Sequence, residues 1–295
     1  MTGPVVIVSD ALIDVVVAPG GAASASPGGA GLNCAIDLAR LGTPRLLAYP
    51  VAPDEPGRRL RTQLQEQGVP VVALPGARET GVATATVVDG EPSFEFSAAV
   101  HSRRYTYPPA AIEAFRGARA LAVNSFPMSD EGQVSDLLRV VAELGIPLAV
   151  DANARASLIS GGAYRDGFLA LAERATLVKA SRQDLTVLFG DEAAGLRELR
   201  RRSQASIVVT AGSKGAAALG DFGQARVPIA DLPGGIVNTT GSGDCVFAVL
   251  LSQLDTPGWP TTSSAWAQLL TEAMTLAGRV ARREEPTLPP TQSTP

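Results

Sequence analysis

Pro4-Val5-Val6-Ile7-Val8 runs straight into Ser9-Asp10. An apolar run with no polar alternation is how a strand buried on both faces reads. The pattern returns at residues 120–123 before Asn124-Ser125, at 147–150 before Asp151, at 175–178 before Lys179, and at 207–209 before Thr210-Ala211-Gly212. Helical spacing of apolar residues fills the gaps: 32–41 stops at Gly42, 57–67 at Gly68, and 131–144 at Gly145. Glycine is the usual residue just past a helix. Strand and helix alternate, which predicts an α/β fold with a mostly parallel sheet covered on both faces. Ligands of such sheets bind at the carboxyl ends of the strands, where these polar residues collect.

Two stretches break the rhythm. Residues 14–26 and 81–97 read as short strands with turns, and Asp89-Gly90 inside the second is a hairpin signal. They are expected to form a small β lid over the site. The core is then made of residues 1–13, 27–80 and 98–283, and the Pro- and Thr-rich residues 284–295 are expected to be disordered.

Composition excludes several classes. The net charge of -4 offers no basic surplus for nucleic acid or an anionic membrane. Cys34 and Cys245 stand in unrelated contexts, so neither a disulfide framework nor a zinc site is expected. His101 is the only histidine, in a polar stretch, which argues against Ser-His-Asp and Cys-His chemistry. No run reaches the ~18 apolar residues of a membrane helix, and no basic segment precedes a long apolar core. A cytoplasmic protein is expected.

Four motifs carry chemistry. Asn238-Thr239-Thr240-Gly241-Ser242-Gly243-Asp244 opens an apolar helix. Its glycines let backbone N–H groups converge at a helix start, an anion hole suited to a phosphate. Asp244 beside it can accept a proton from an attacking hydroxyl; a glycine turn with Asp as a helix cap is the alternative. Pro27-Gly28-Gly29-Ala30-Gly31-Leu32-Asn33 allows close approach of a ligand, and the Asn33 amide both donates and accepts, as sugar hydroxyls require. A plain loop-to-helix turn is the alternative there. Asp14 ends the apolar stretch after the first strand, where it binds hydroxyls or merely faces solvent. Thr210-Ala211-Gly212-Ser213-Lys214-Gly215 is a strand end with a turn suited to nucleotide phosphates, or a simple hairpin. The dinucleotide fingerprint fails because Val246 stands where a third glycine is needed, and no Gly-Lys pair exists for a P-loop.

In this order the pieces resemble the PfkB (ribokinase-like) carbohydrate kinases. The resemblance runs from residue 5 to about 280 and rests on Gly28, Gly29 and Asn33, on Asp54-Glu55-Pro56-Gly57, and on Thr239 to Asp244. It implies a three-layer αβα sandwich with a β lid, and ATP and Mg²⁺ as cofactors. Asp244 would be the base, with Gly241, Ser242 and Gly243 as the anion hole. Asp14, Gly28, Gly29 and Asn33 would hold the sugar. Lys179, Ser181, Thr210, Gly212, Gly215 and Thr240 would line the nucleotide side, with Asp184 acting indirectly on the metal.

Asp10-Ala11-Leu12-Ile13-Asp14, Asp151-Ala152-Asn153-Ala154-Arg155 and Lys179-Ala180-Ser181 resemble fructokinase and 2-keto-3-deoxygluconate kinase motifs. This adds Asn153 and Arg155 to the substrate set and favours fructose, ahead of 2-keto-3-deoxygluconate, ribose or a nucleoside. Asn238 stands where the family usually has Asp, which puts K⁺ use in doubt. Ser9, Ala152, Asp184 and Ser242 also depart from the usual residues, so a non-catalytic sugar or nucleotide sensor on the same fold is the rival reading. A lid with an exposed apolar face could pair with a second lid, leaving a homodimer as an open expectation.

Overall fold

The computed structural model describes residues 3–17, 21–88, 91–159 and 161–290. Its main sheet has nine strands: β1 (Val5–Val8), β4 (Arg45–Pro50), β5 (Val71–Leu74), β8 (Ala120–Val123), β9 (Leu148–Asp151), β10 (Leu177–Ser181), β11 (Ser206–Thr210), β12 (Ala216–Gly220) and β13 (Gly223–Val227). The order is β13-β12-β11-β10-β9-β8-β1-β4-β5, parallel except for β12 and β13. The second sheet, β3-β2-β6-β7, holds β2 (Leu12–Val17), β3 (Ala23–Gly28), β6 (Val82–Val88) and β7 (Glu91–Phe96). It is the lid, and its β2–β6 pairing is parallel while the other two are antiparallel.

Helices cover both faces of the main sheet. On one side lie α1 (Ala30–Arg40), α2 (Glu55–Glu66), α9 (Ser242–Gln253) and α10 (Ser263–Val280). On the other lie α4 (Pro109–Phe115), α5 (Glu131–Leu144), α6 (Ala163–Ala172), α7 (Arg182–Phe189) and α8 (Glu192–Arg202). The short α3 (Ala98–His101) packs on the lid strands through Val100, Leu12 and Ala83. The apolar run at residues 5–8 now has its cause: Val5 and Ile7 join one core, Val6 and Val8 the other, and none is exposed. A strand between two helical layers has no solvent face to alternate with.

The motif 210–215 takes the hairpin form: the chain turns through a 3₁₀ segment, Gly212–Lys214, and reverses as β12 beside β11. One expectation changes. The C-terminal stretch is ordered through residue 290: Thr287 and Leu288 are buried, Leu288 N–H donates to Asp37 Oδ1 at 2.7 Å, and Arg40 Nη1 to Thr287 Oγ1 at 2.6 Å. Composition suggested disorder, but one apolar side chain and two polar anchors are enough to fix so short a segment. Residues 291–295 and the Asp89-Gly90 turn lie outside the described residues.

Candidate active site

The carboxyl ends of β1, β8, β9, β10 and β11 point at one region, with the lid above it and the start of α9 at one side. Gly241 is the N-cap of α9, in a left-handed conformation with φ 79°. The N–H groups of Gly243 and Asp244 have no partner among the described residues and stay available to an anion. Ser242 N–H, by contrast, donates to Thr239 O at 3.2 Å. Gly241 N–H likewise has no partner among the described residues, so of the expected Gly241–Gly243 trio only Ser242 is engaged.

Asp244 lies in the first turn of α9, half-buried. Asn33 Nδ2 donates to its Oδ2 at 3.0 Å. Burial pushes the Asp244 carboxyl up to about 7, while the Asn33 hydrogen bond and the Lys179 charge hold it down. A carboxyl near neutrality can alternate between proton acceptor and donor at working pH. Asn33 Oδ1 is buried without a partner.

Asp14 is half-buried on β2. Its Oδ2 would lie 1.9 Å from a Cβ on Gly28, so a side chain at 28 would push the Asp14 carboxylate out of its place. Burial and the Asp10 charge raise the Asp14 carboxyl to about 6. Gly29, at φ 103°, lets α1 start against Asp10 and Ala11. Arg155 is exposed, and its charge is felt at both Asp14 and Asp244. Asn153 and Arg155 line a cavity of about 490 Å³ together with Arg103, Ser125, Gln133 and Tyr164.

The sequence marks Ser125 and Asp10 as polar strand ends without a role. Asp10 accepts from Ser125 Oγ at 2.6 Å and from Gly31 N at 3.2 Å, joining β1, β8 and α1 at the floor of the site. Ser125 and Asn153 both have positive φ, 49° and 36°. Left-handed backbone at non-glycine strand ends is uncommon and clusters at functional sites. The polar ends of the strands were a visible signal; the strain was not.

A larger, mostly apolar cavity of about 700 Å³ opens beside the start of α9. Thr210, Gly212, Ser181, Thr239, Ser242 and Gly243 line it, and Met274, Ala277 and Ile236 supply apolar surface. Gly215 and Thr240 do not line it. Gly215 closes the 3₁₀ turn with φ 88°, where a Cβ would meet Val227 O at 2.1 Å; Thr240 N–H donates to Asn238 Oδ1. Arg282, unnoticed in the sequence, donates to the carbonyls of Leu232, Pro233 and Gly234 and so holds one loop at the cavity's rim.

Lys179 is not free to meet a phosphate. It is buried and pairs with Asp151 Oδ2 at 2.6 Å, below the hole, where a Cβ on Gly243 would lie 3.5 Å from its Nζ. Burial works against its charge, but the carboxylates of Asp151, Asp184 and Asp244 outweigh it and raise the Lys179 pKa. Asp184 is spent as well: its oxygens accept from Ala154 N at 2.8 Å and Ser181 N at 2.6 Å, and Ser181 Oγ caps α7 in return. Asp54 caps α2 through Gly57 N and grips Thr80 at the base of the lid.

A family model described as pfkB family carbohydrate kinase matches residues 4–289. The chain belongs to this family. It is a phosphotransferase with an alcohol group as acceptor, a sugar kinase. Among its relatives, the fructokinase of Klebsiella pneumoniae is 30% identical over 295 residues, covering 93% of this chain and 92% of its own length. The fructokinase of Salmonella typhimurium is 28% identical, with 93% and 92% covered. Xylella fastidiosa fructokinase with bound ATP superposes with TM-score 0.79 at 20% identity, covering 96% and 94% of the two chains. A Vibrio cholerae O395 fructokinase variant in its fructose, ADP and potassium ion bound form does so at 0.80 and 22%, covering 97% and 94%. At such identity these structures establish the shared fold.

Proposed function

We propose that this kinase moves the γ-phosphoryl group of ATP to a hydroxyl of fructose, with Asp244 as the base. The observation that carries the reading is the Asn33–Asp244 hydrogen bond beside the free N–H groups at the start of α9, with a cavity lined by Asn153 and Arg155, whose charge is felt at Asp244, and an apolar cavity along α10. The adenine and ribose take the apolar cavity and the sugar takes the space under the lid. Asp14 and Asn33 hold sugar hydroxyls; Gly28 and Gly29 let them come close. Asp244 takes the proton from the attacking hydroxyl, and the N–H groups of Gly243 and Asp244 meet the charge of the moving phosphoryl. Lys179 steadies that negative cluster from below. Lid closure excludes water, which would otherwise compete as acceptor.

No group of three or more His, Cys, Asp or Glu among the described residues is placed to hold a metal. Mg²⁺ bound with the nucleotide phosphates would supply charge neutralisation there. A monovalent cation does not fit at Asn238: the amide is neutral, its Oδ1 accepts from Thr240 N at 2.9 Å, and its Nδ2 donates to Glu284 O at 3.1 Å.

A second sugar reading has its own observation. Arg155 makes no salt bridge among the described residues and lines the sugar-side cavity, so the carboxylate of 2-keto-3-deoxygluconate would find a cation there. Val16, half-exposed on the lid, marks where a second lid would pair if the protein dimerises. No helix among the described residues is long and apolar enough to cross a membrane. The test is ADP release with Mg-ATP across fructose, 2-keto-3-deoxygluconate, ribose, glucose and nucleosides. Fructose is expected to be preferred. Sugar binding by thermal shift without turnover on any of them would replace the kinase with a sensor.

A further inference from the structure

Asp37 has no part in the chemistry above, yet it is fully buried on α1. A buried carboxylate is costly without partners, so its contacts must explain it. Its Oδ1 accepts from Leu288 N at 2.7 Å. Its other oxygen has no N–H or O–H partner, and the Cys245 thiol, one residue past Asp244, is its neighbour. Asp37 thus touches the segment after α10 on one side and the start of α9 on the other.

That segment touches the anion-hole loop at Ala281, Glu284 and Pro286. Ala281 O accepts from the N–H groups of Val237 and Asn238 at 2.9 and 3.2 Å. Glu284 O accepts from Asn238 Nδ2 at 3.1 Å. Pro286 O presses on Gly241, where a Cβ would lie only 1.8 Å away. Thr287 is held by Arg40, on the same helix as Asp37, at 2.6 Å.

We infer that residues 284–288 form a strap that fixes the anion-hole loop, and that Asp37 is the positioning residue that anchors the strap. Besides the Asp37 bond, the strap's far end is held by the Arg40–Thr287 bond and the buried Leu288 side chain, and of these Asp37 alone also reaches the start of α9. Loosening it lets Gly241 lift, and Gly243 and Asp244 move with it. Displacing such a group by an ångström costs rate rather than affinity. The inference rests on the kinase reading for its kinetic consequence, but not for its structural one.

The test uses the full chain and two readouts. Asp37→Leu keeps the branching at Cγ, with bulkier ends, and removes the acceptor; Asp37→Asn keeps an acceptor for Leu288 N–H. Asp37→Leu is expected to lower kcat about 10- to 100-fold with KM for fructose and ATP within about twofold, at unchanged folded fraction. Asp37→Asn is expected to restore kcat. Amide exchange at Thr240 and Ser242 should quicken about tenfold or more in Asp37→Leu. If Asp37→Leu does not fold, Leu288→Pro, which removes the donor of the same bond together with the buried leucine side chain, takes its place in both readouts, with Leu288→Ala as the control for the lost side chain. Unchanged exchange and unchanged kcat would overturn the strap. Absence of turnover in the wild-type protein would overturn the kinase reading alone, and the exchange result would still decide the strap.

Discussion

The Asn33 amide donates to the Asp244 carboxylate at 3.0 Å across 211 positions of sequence. The bond joins the glycine-rich start of α1 to the glycine-rich start of α9, the two helix ends between which a sugar hydroxyl would be aligned with a phosphate. It also tunes the base. Burial carries Asp244 up to about 7, and Asn33 is the largest influence holding it down.

Replacing Asn33 with Leu removes that restraint, so the Asp244 pKa rises. A base works only when ionised, and activity falls as pH drops through its pKa. The acid limb of the kcat profile should therefore move to higher pH, by about 1 to 2 units for a hydrogen bond to a charged group. A pH profile of kcat on the preferred sugar checks this; an unmoved limb would separate Asn33 from the base.

Asn238 bridges Thr240 N–H and Glu284 O with its own amide. Wild-type turnover should be indifferent to K⁺ at constant ionic strength. Asn238→Asp loses the donor to Glu284 O and sets a carboxylate against a carbonyl, a repulsion that a monovalent cation relieves. The variant should gain both K⁺ activation and a K⁺-dependent rise in Tm, compared against tetramethylammonium.

Asp37 makes stability depend on pH in an unusual direction. Burial raises its carboxyl from 3.8 to about 7. The fold thus prefers the protonated form. Its contribution is complete below 3.8 and is lost as pH rises through about 7. Asp37→Asn cannot ionise. Its stability relative to wild type should grow between pH ~4 and ~7 and level off above, by at most on the order of 4 kcal/mol. Urea denaturation across that range measures the difference, and Asp244 and Asp14 cancel because both proteins share them.

The strands, the lid and the polar strand ends were legible in the sequence because each is a local pattern. Residues 120–123 are apolar whatever surrounds them. Asp244 and Asn33 were legible as residues, but their hydrogen bond depends on how α1 and α9 pack. Lys179 illustrates the limit: its partner Asp151 stands opposite it in the β9–β10 register, 28 positions away, and only sheet pairing reveals that the ammonium is already neutralised. Asp37 looks like any polar residue on an amphipathic helix until α9 and the C-terminal strap cover it. The strap itself hid behind its composition, because Pro and Thr give no period from which burial can be read.

The most direct test compares wild-type protein with Asp244→Asn in ADP release from Mg-ATP and fructose, with sugar and nucleotide binding measured in parallel. The account predicts turnover by the wild-type protein and a loss of about 10²–10⁴ in kcat in the variant, with both ligands still bound. Turnover by Asp244→Asn near the wild-type rate would contradict it.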